Sequence, residues 1–182
     1  TGTNQVTDPT NNPGVTSFSG TGTTSMIGLV QSKQGWFVNM PTGSGTNSAE
    51  RSVVYTTLLG GTLFIPTFVP TSDFCGSDGS SNLYALYYKT GTAAATPVVG
   101  TQTSGSNTNV STKISLGVGM ASGLSVQIAS TGSGGLGMAS GTGGSSGGIN
   151  LFTQMSNSNM NIIWGQSKGF YSYYSGWSNQ RD

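Results

Sequence analysis

Residues 50–91 constrain the fold of this chain more than any other segment, because they combine its densest apolar pattern with clear turn signals. Residues 51–59 and 62–69 are rich in β-branched and aromatic side chains, which predicts two strands. Gly60-Gly61 between them predicts a two-residue hairpin turn, since glycine accepts the positive φ angles of such turns. Residues 82–88 alternate between two apolar faces and predict a third strand. This segment is therefore predicted to form a three-stranded antiparallel meander.

Two details of the meander carry further information. Pro66 lies inside the second predicted strand and indicates a sheet edge or a bulge, because proline has no N–H group for a ladder hydrogen bond. The second and third strands are separated by a long loop, residues 70–81, which contains the sole cysteine of the chain, Cys75.

Shorter apolar runs predict six more strands. They lie at residues 25–31, 35–40, 110–116, 124–129, 149–155 and 160–164. The fold class is therefore predicted to be all-β, with antiparallel meanders joined by Gly/Ser/Thr-rich loops. The predicted divisions are an extended polar arm at 1–24, a β region at 25–129, a Gly/Ser-rich loop at 130–148, and C-terminal strands with an aromatic tail at 149–182.

The composition excludes several classes of function. Only 6% of the 182 residues are charged and the net charge is +1, whereas about a quarter of the residues in an ordinary globular domain are charged. Six scattered basic residues cannot neutralise a row of phosphates, so nucleic acid is not an expected partner. No apolar run reaches the roughly 18 residues of a membrane-spanning helix. Uncharged β sequence rich in Gly, Ser, Thr and Asn is typical of extracellular surface proteins and fibres.

Catalytic and metal chemistry have few candidates. The chain has no histidine, so Cys75 cannot belong to a Cys-His nucleophile, and we interpret it as a structural thiol or a disulfide contact to a partner. Glu50 and Asp73 are too isolated to indicate an acid/base pair. No catalytic, cofactor-binding or metal-binding residue is therefore predicted.

Three weaker patterns favour structural interpretations. Asp73 and Asp78, with Ser72 and Ser77, could bind calcium, but two carboxylates in a Ser/Gly loop are usually turn formers. Residues 132–137 fit G-x-G-x-x-G by letter but lack the helix that a phosphate site requires. Asn109-Val110-Ser111 is a glycosylation sequon in an Asn/Ser-rich chain.

The aromatic side chains could line a sugar- or peptide-binding surface, although core packing or subunit docking is the more common use of such residues. They are Trp36, Tyr84, Tyr87, Tyr88, Trp164 and Trp177.

Four motifs in sequence order resemble a known family. They are GWFVNMP, then ERSVVYTTLLGGTLFIPTFVPTSDFCG, then NLYALYYKTGTA, then KISLGVGMASGLSVQIA. This combination, over residues 35–129, is similar to the C-terminal β-propeller domain of the PilC/PilY family of type IV pilus biogenesis and tip-adhesin proteins. The ending YYSGWSNQRD departs from the family pattern. The Asp/Asn-rich calcium loop of the family is also missing, so no metal ligands are carried over.

The resemblance implies blades of a quinoprotein-like propeller, of which this chain would supply only a part. Sheet edges left open by a partial propeller recruit other strands. We therefore expect protein partners, namely the rest of a propeller chain, pilins, or copies of this chain. One specific expectation is that the arm at residues 1–24 inserts into a neighbouring chain.

The expected function is that of a non-enzymatic extracellular structural protein, a C-terminal segment of a type IV pilus assembly or adhesion factor at the cell surface. The alternative is a self-assembling subunit of an extracellular filament or sheath joined by β-strand addition. A quinoprotein-like dehydrogenase would need a set of acidic, Asn and Arg ligands that the sequence does not offer.

Overall fold

The computed structural model describes residues 6–7, 14–43, 48–71, 79–94, 97–128 and 149–165. Antiparallel strands dominate this part of the chain, as expected for an all-β protein. The elements are β1 (Val6–Thr7), α1 (Met26–Gln31), β2 (Trp36–Phe37), β3 (Thr57–Leu59), β4 (Thr62–Val69), β5 (Ser80–Tyr87), β6 (Thr101–Ser104), β7 (Asn107–Val110), β8 (Lys113–Val118), β9 (Ser125–Ile128), β10 (Ile149–Gln154) and β11 (Met160–Gly165).

The predicted meander is confirmed as the first three strands of a four-stranded antiparallel sheet with the order β3-β4-β5-β8. Gly60 and Gly61 have φ angles of 56° and 79°, and Leu59 pairs with Thr62 across them. Positive φ at both central residues is the requirement of a tight hairpin turn whose twist matches the flanking strands. Because this turn sets the register between β3 and β4, the glycine pair determines which side chains of β4 lie on each face of the sheet.

Pro66 lies in the interior of the sheet, on a strand with neighbours on both sides, and faces an interruption in β3. Arg51 pairs with Phe68 and Thr57 pairs with Phe64, so the five residues 52–56 lie opposite three residues of β4. The Phe68 N–H donates to the Arg51 carbonyl, which places the N–H side of even-numbered β4 residues toward β3. The missing donor of Pro66 therefore falls where residues 52–56 bulge out of the ladder. The predicted strand at 51–59 is reduced to Thr57–Leu59 for this reason.

One continuous stretch of chain joins the four-stranded sheet to a second sheet of order β11-β10-β9. Strand β8 pairs with β5, the next residues bridge Ala121 to Met155, and β9 pairs with β10. Gly117 and Gly119 lie at the bend with φ angles of 91° and 104°. A strand that changes sheets at a bend is the usual way to form a corner between packed sheets.

Ser81 holds this corner through its side chain. Its hydroxyl donates to the Gly119 carbonyl at 2.7 Å and accepts from the Ala121 N–H at 3.0 Å, and the residue is fully buried. These two backbone groups leave the β5 ladder as the chain turns, so the hydroxyl supplies the partners that the ladder no longer provides.

The main core lies between the two sheets. Its buried residues are Phe64, Leu83, Ala85, Leu116, Ala121, Leu151, Met155 and Ile163. Because β4, β5 and β8 contribute from one sheet and β10 and β11 from the other, the sheets pack face to face.

The opposite face of the four-stranded sheet is covered by the segment that precedes it. Ile65, Tyr84 and Leu86 pack against Trp36 and Met40. The indole N–H of Trp36 also donates to the Tyr88 carbonyl at 2.9 Å. Both faces of β4 and β5 are consequently buried.

The strand predicted at residues 25–31 is wrong, since this segment forms α1. The Ser25 side chain accepts a hydrogen bond from the Gly28 N–H at 3.0 Å, which is an N-cap contact. Met26 and Val30 lie four residues apart and are buried together beside Val15. A short apolar run is compatible with either a strand or a helix, because it is too short to show a period. The N-cap contact of Ser25 favours the helix.

The expected insertion of the N-terminal arm into a neighbouring chain stays a prediction, and the described residues of the arm contact their own chain. Val6 and Thr7 pair in parallel with Trp36 and Phe37 of the same chain. Val15 and Phe18 pack against α1. Val15 and Phe18 therefore have packing partners within their own chain.

Other predictions differ in extent. The strand expected at 35–40 is limited to β2, and the polar segment 101–110 forms the hairpin β6–β7 with Gly105 at φ 61°. The strands predicted at 149–155 and 160–164 are confirmed as the antiparallel pair β10–β11. The Gly/Ser-rich loop at 130–148 and the tail at 166–182 lie outside the described residues.

Within the described segments, the strands do not close into a ring, and the two larger sheets end on edge strands. No helix in these segments is long and apolar enough to cross a membrane.

The Ser81 contacts predict that Ser81→Ala lowers the free energy of unfolding by about 1–3 kcal/mol, because two buried backbone groups lose their partner. Urea unfolding measures this change. Ser80→Ala removes an exposed hydroxyl from the adjacent position and serves as the control, with an expected effect within about 0.5 kcal/mol. Equal effects of the two substitutions would contradict the role of Ser81.

Candidate functional site

The most organised polar cluster in the described part of the chain surrounds Glu50. Backbone hydrogen bonds fix the segment that carries it: Ser48 N–H donates to the Pro70 carbonyl and Glu50 N–H to the Pro41 carbonyl. Arg51 then pairs with Phe68 in both directions. These contacts hold Glu50 beside the outer face of the four-stranded sheet, where its side chain is only 2% exposed.

Four side chains donate hydrogen bonds to the Glu50 carboxylate. Oε1 accepts from Thr67 Oγ1 at 2.5 Å and from Asn82 Nδ2 at 2.9 Å. Oε2 accepts from the Tyr84 hydroxyl at 2.9 Å and from Lys113 Nζ at 3.0 Å. The carboxylate thus has two donors on each oxygen.

The register of three strands brings these donors together. Thr67 on β4 lies opposite Asn82 on β5, and Tyr84 on β5 lies opposite Lys113 on β8. Since side chains two residues apart share a sheet face, all four project from the same face. Glu50 therefore links three strands to the segment that lies over them.

Burial and hydrogen bonding act in opposite directions on Glu50. Burial raises the pKa of its carboxyl group, because it disfavours the charged form. The hydrogen bonds from Thr67, Lys113, Asn82 and Tyr84 favour the carboxylate, and together they bring the pKa below its ordinary value. Glu50 is therefore ionised in the folded chain at neutral pH.

The pKa values of the two titratable neighbours, Lys113 and Tyr84, are raised. Burial lowers the pKa of Lys113, but its hydrogen bonds to Glu50 and Tyr84 outweigh this effect and the pKa is raised. Burial is the first cause of the raised pKa of Tyr84. Lys113 Nζ also lies 5.1 Å from the centre of the Tyr84 ring, within range of a cation–π contact. At neutral pH the cluster is a Lys113–Glu50 ion pair beside a neutral tyrosine.

The sequence contained only a weak signal for this site. In the sequence Glu50 is too isolated to indicate an acid/base pair, and its partners in the fold are a threonine, an asparagine, a tyrosine and a lysine. These residues lie 17 to 63 positions away, so that only the strand register reveals the cluster. An available signal was the position of the one glutamate of the chain immediately before a β-rich segment.

Most residues weighed for chemistry from the sequence lie outside the described part of the chain. These are Ser72, Asp73, Cys75, Ser77, Asp78, Trp177 and the glycine-rich segment 132–137. Among the residues that the structure describes, no group of three or more potential metal ligands occurs. Asn109 of the sequon is exposed on β7.

Four of the aromatic side chains considered for a ligand surface, Trp36, Tyr84, Tyr87 and Tyr88, take part in packing. Tyr84 is buried in the Glu50 cluster. The Tyr87 ring lies 5.7 Å from Phe18 and 5.5 Å from Tyr88. A side chain at Gly91 would overlap the Trp36 ring, so this glycine is needed for the close approach of the indole. Their arrangement favours packing over a row of rings for a ligand.

Comparisons with protein-family models, with curated proteins and with solved structures found no match. The functional argument therefore depends on the geometry of this chain and on the motifs of its sequence.

The Glu50 cluster predicts that Glu50→Gln lowers the free energy of unfolding at pH 7 by about 1–3 kcal/mol, because the amide cannot accept from all four donors. The pKa of Glu50 is lower in the folded than in the unfolded chain. Its contribution is therefore present above the unfolded-state pKa and is lost as the pH falls through the folded-state pKa. Urea unfolding between pH 7 and pH 2 measures both effects.

Arg51→Gln is the matched control, since it removes an exposed charge from the adjacent residue. Its effect is expected to be within about 0.5 kcal/mol at every pH. A difference between the original chain and Glu50→Gln that stayed constant from pH 7 to pH 2 would contradict the assignment.

Proposed function

We propose that this chain is a non-enzymatic structural protein at the outer surface of the cell, acting as a C-terminal segment of a type IV pilus assembly or adhesion factor. The observation that carries the proposal is the four-stranded antiparallel sheet of order β3-β4-β5-β8, covered on both faces. Propeller blades are four-stranded antiparallel sheets whose two faces are covered by their neighbours. The motifs similar to the PilC/PilY family lie in and around this sheet.

The chemistry of the Glu50 cluster favours a structural role. A general base for an external substrate needs a lone pair directed at that substrate, whereas this carboxylate is buried and accepts four hydrogen bonds from side chains of its own chain. The cluster ties three strands to the segment at 48–51, which is a structural role.

The interrupted edge at β3 supports the expected partnership with another protein. Tyr55 is 92% exposed, and Val53 and Leu58 on the same edge are also exposed. Apolar side chains beside incomplete backbone pairing are suited to contact with a further β element. In the proposed function that element belongs to the rest of a propeller or to a pilin.

A self-assembling filament subunit is the second candidate, and β11 favours it. Within the described residues, β11 pairs only with β10, and its sequence MNIIWG has no charge and no proline. Met160 and Ile162 are 66% and 40% exposed. Natural edge strands usually carry charges or prolines that prevent pairing with another chain, so this strand is suited to strand addition.

The proposed function is tested in the organism that encodes the chain. Deleting the coding sequence is expected to reduce surface pili counted by electron microscopy, or adhesion to host or abiotic surfaces. Antibody against the chain should label intact cells. Normal pili, normal adhesion and no labelling of intact cells would contradict the proposal.

Sedimentation velocity over a hundredfold concentration range distinguishes the two candidates. The pilus-factor proposal predicts one concentration-independent species for the isolated chain. The filament candidate predicts polymers that grow with concentration and that Ile162→Lys abolishes, because a charge on β11 opposes strand pairing. Gln102→Lys adds the same charge on the exposed strand β6 and is the control, expected to leave polymers intact.

A further inference from the structure

The Glu50 cluster brings together a primary amine, a side-chain carboxamide and a buried carboxylate. Lys113 Nζ lies 3.0 Å from Oε2 of Glu50, and Asn82 Nδ2 lies 2.9 Å from Oε1 of the same group. A stabilising ion pair would by itself explain why Lys113 and Glu50 lie together. The carboxamide on the second oxygen is the additional feature, because an amine and a carboxamide can exchange nitrogen under acid–base catalysis.

The strand geometry places Lys113 within reach of Asn82. Asn82 pairs with Ser115, so Lys113 occupies the diagonal position two residues along β8 on the same face. Diagonal neighbours of this kind are within reach of a long side chain. Both side chains are already oriented toward the single carboxylate between them.

We propose that Lys113 and Asn82 form an intramolecular amide cross-link between β8 and β5, with Glu50 as the residue that moves the protons. The inference requires only the described cluster and is independent of the proposed function. It assigns a covalent modification to a site whose hydrogen bonds alone would indicate a stabilising ion pair.

The reaction is balanced without any further reagent. Lys113 transfers a proton to Glu50 along their hydrogen bond, and the neutral amine attacks Cγ of Asn82. Nζ loses a second proton as the tetrahedral carbon collapses, the Cγ–Nδ2 bond breaks, and Nδ2 leaves with the transferred protons as ammonium. One amide C–N bond forms and one breaks, the Glu50 carboxylate is regenerated, and nothing is oxidised or reduced.

Two features of the site bear on the rate. The proton acceptor Glu50 is only 2% exposed, and paired strands hold the reacting groups together in one molecule. The ion pair opposes reaction, because Lys113 must first become neutral and its side chain is 37% exposed. We therefore expect a slow and irreversible step that goes to completion after folding, as ammonium is released.

The direct test is the intact mass of the purified chain after incubation at 37 °C for one week. The cross-link predicts a mass below that of the sequence by one ammonia, about 17 Da. After trypsin, the peptide ending at Lys89 should remain joined to the peptide that spans Lys113, and cleavage after Lys113 should be lost. A full-length mass after this incubation would overturn the proposal.

Two variants distinguish the cross-link from other losses of ammonia. A succinimide formed at Asn82 alone has the same mass change but needs no lysine. Lys113→Arg keeps a cation beside Glu50 and should retain the full mass, as should Glu50→Gln. Loss of ammonia that persists in Lys113→Arg, or that occurs without the joined peptides, would overturn the assignment.

Discussion

The Glu50 carboxylate is the interaction on which the outer face of the main sheet depends. It is buried and ionised, and it accepts hydrogen bonds from donors on three strands. Removing one donor leaves the other three hydrogen bonds in place. Removing the carboxylate leaves four polar groups without their common acceptor. An uncompensated buried charge would be costly, and the hydrogen bonds offset that cost here. The segment at 48–51 is therefore held against the sheet by a polar contact, beside the apolar cluster of Ile65, Tyr84 and Leu86 on the same face.

The second constraint is the strand that passes from one sheet to the other. In a chain that is only 34% hydrophobic, one core must serve both sheets, and the bend at Gly117 and Gly119 brings β9 and β10 over the inner face of β4 and β5. Ser81 satisfies the backbone groups that the bend frees. Hydrogen bonding to small hydroxyl side chains thus supplies specificity that a larger apolar core would otherwise provide.

Turn residues and short apolar patterns in the sequence predicted the hairpin and the individual strands. The glycine pair at 60–61 identified its hairpin, and the alternation at 82–88 identified β5. The β-branched and aromatic residues at 62–69 identified β4, and short apolar runs identified β10 and β11. The helix α1 was missed because a six-residue apolar run does not reveal its period, and its Ser25 cap was overlooked. The Glu50 cluster could not be predicted, because Thr67, Asn82 and Lys113 become neighbours only through the register of three strands.

The acidity of Glu50 tests the central claim most directly, and the chain is well suited to the measurement. Glu50 is its only glutamate, so selective labelling with ¹³C-glutamate gives one carboxyl signal in an NMR titration. If the mass reveals the cross-link, the Lys113→Arg variant provides the free side chains for this experiment. The account predicts a single transition at a pKa below the ordinary value of a glutamate, because four donors stabilise the ionised form. A transition at or above that ordinary value would contradict it, since burial would then outweigh the hydrogen bonds.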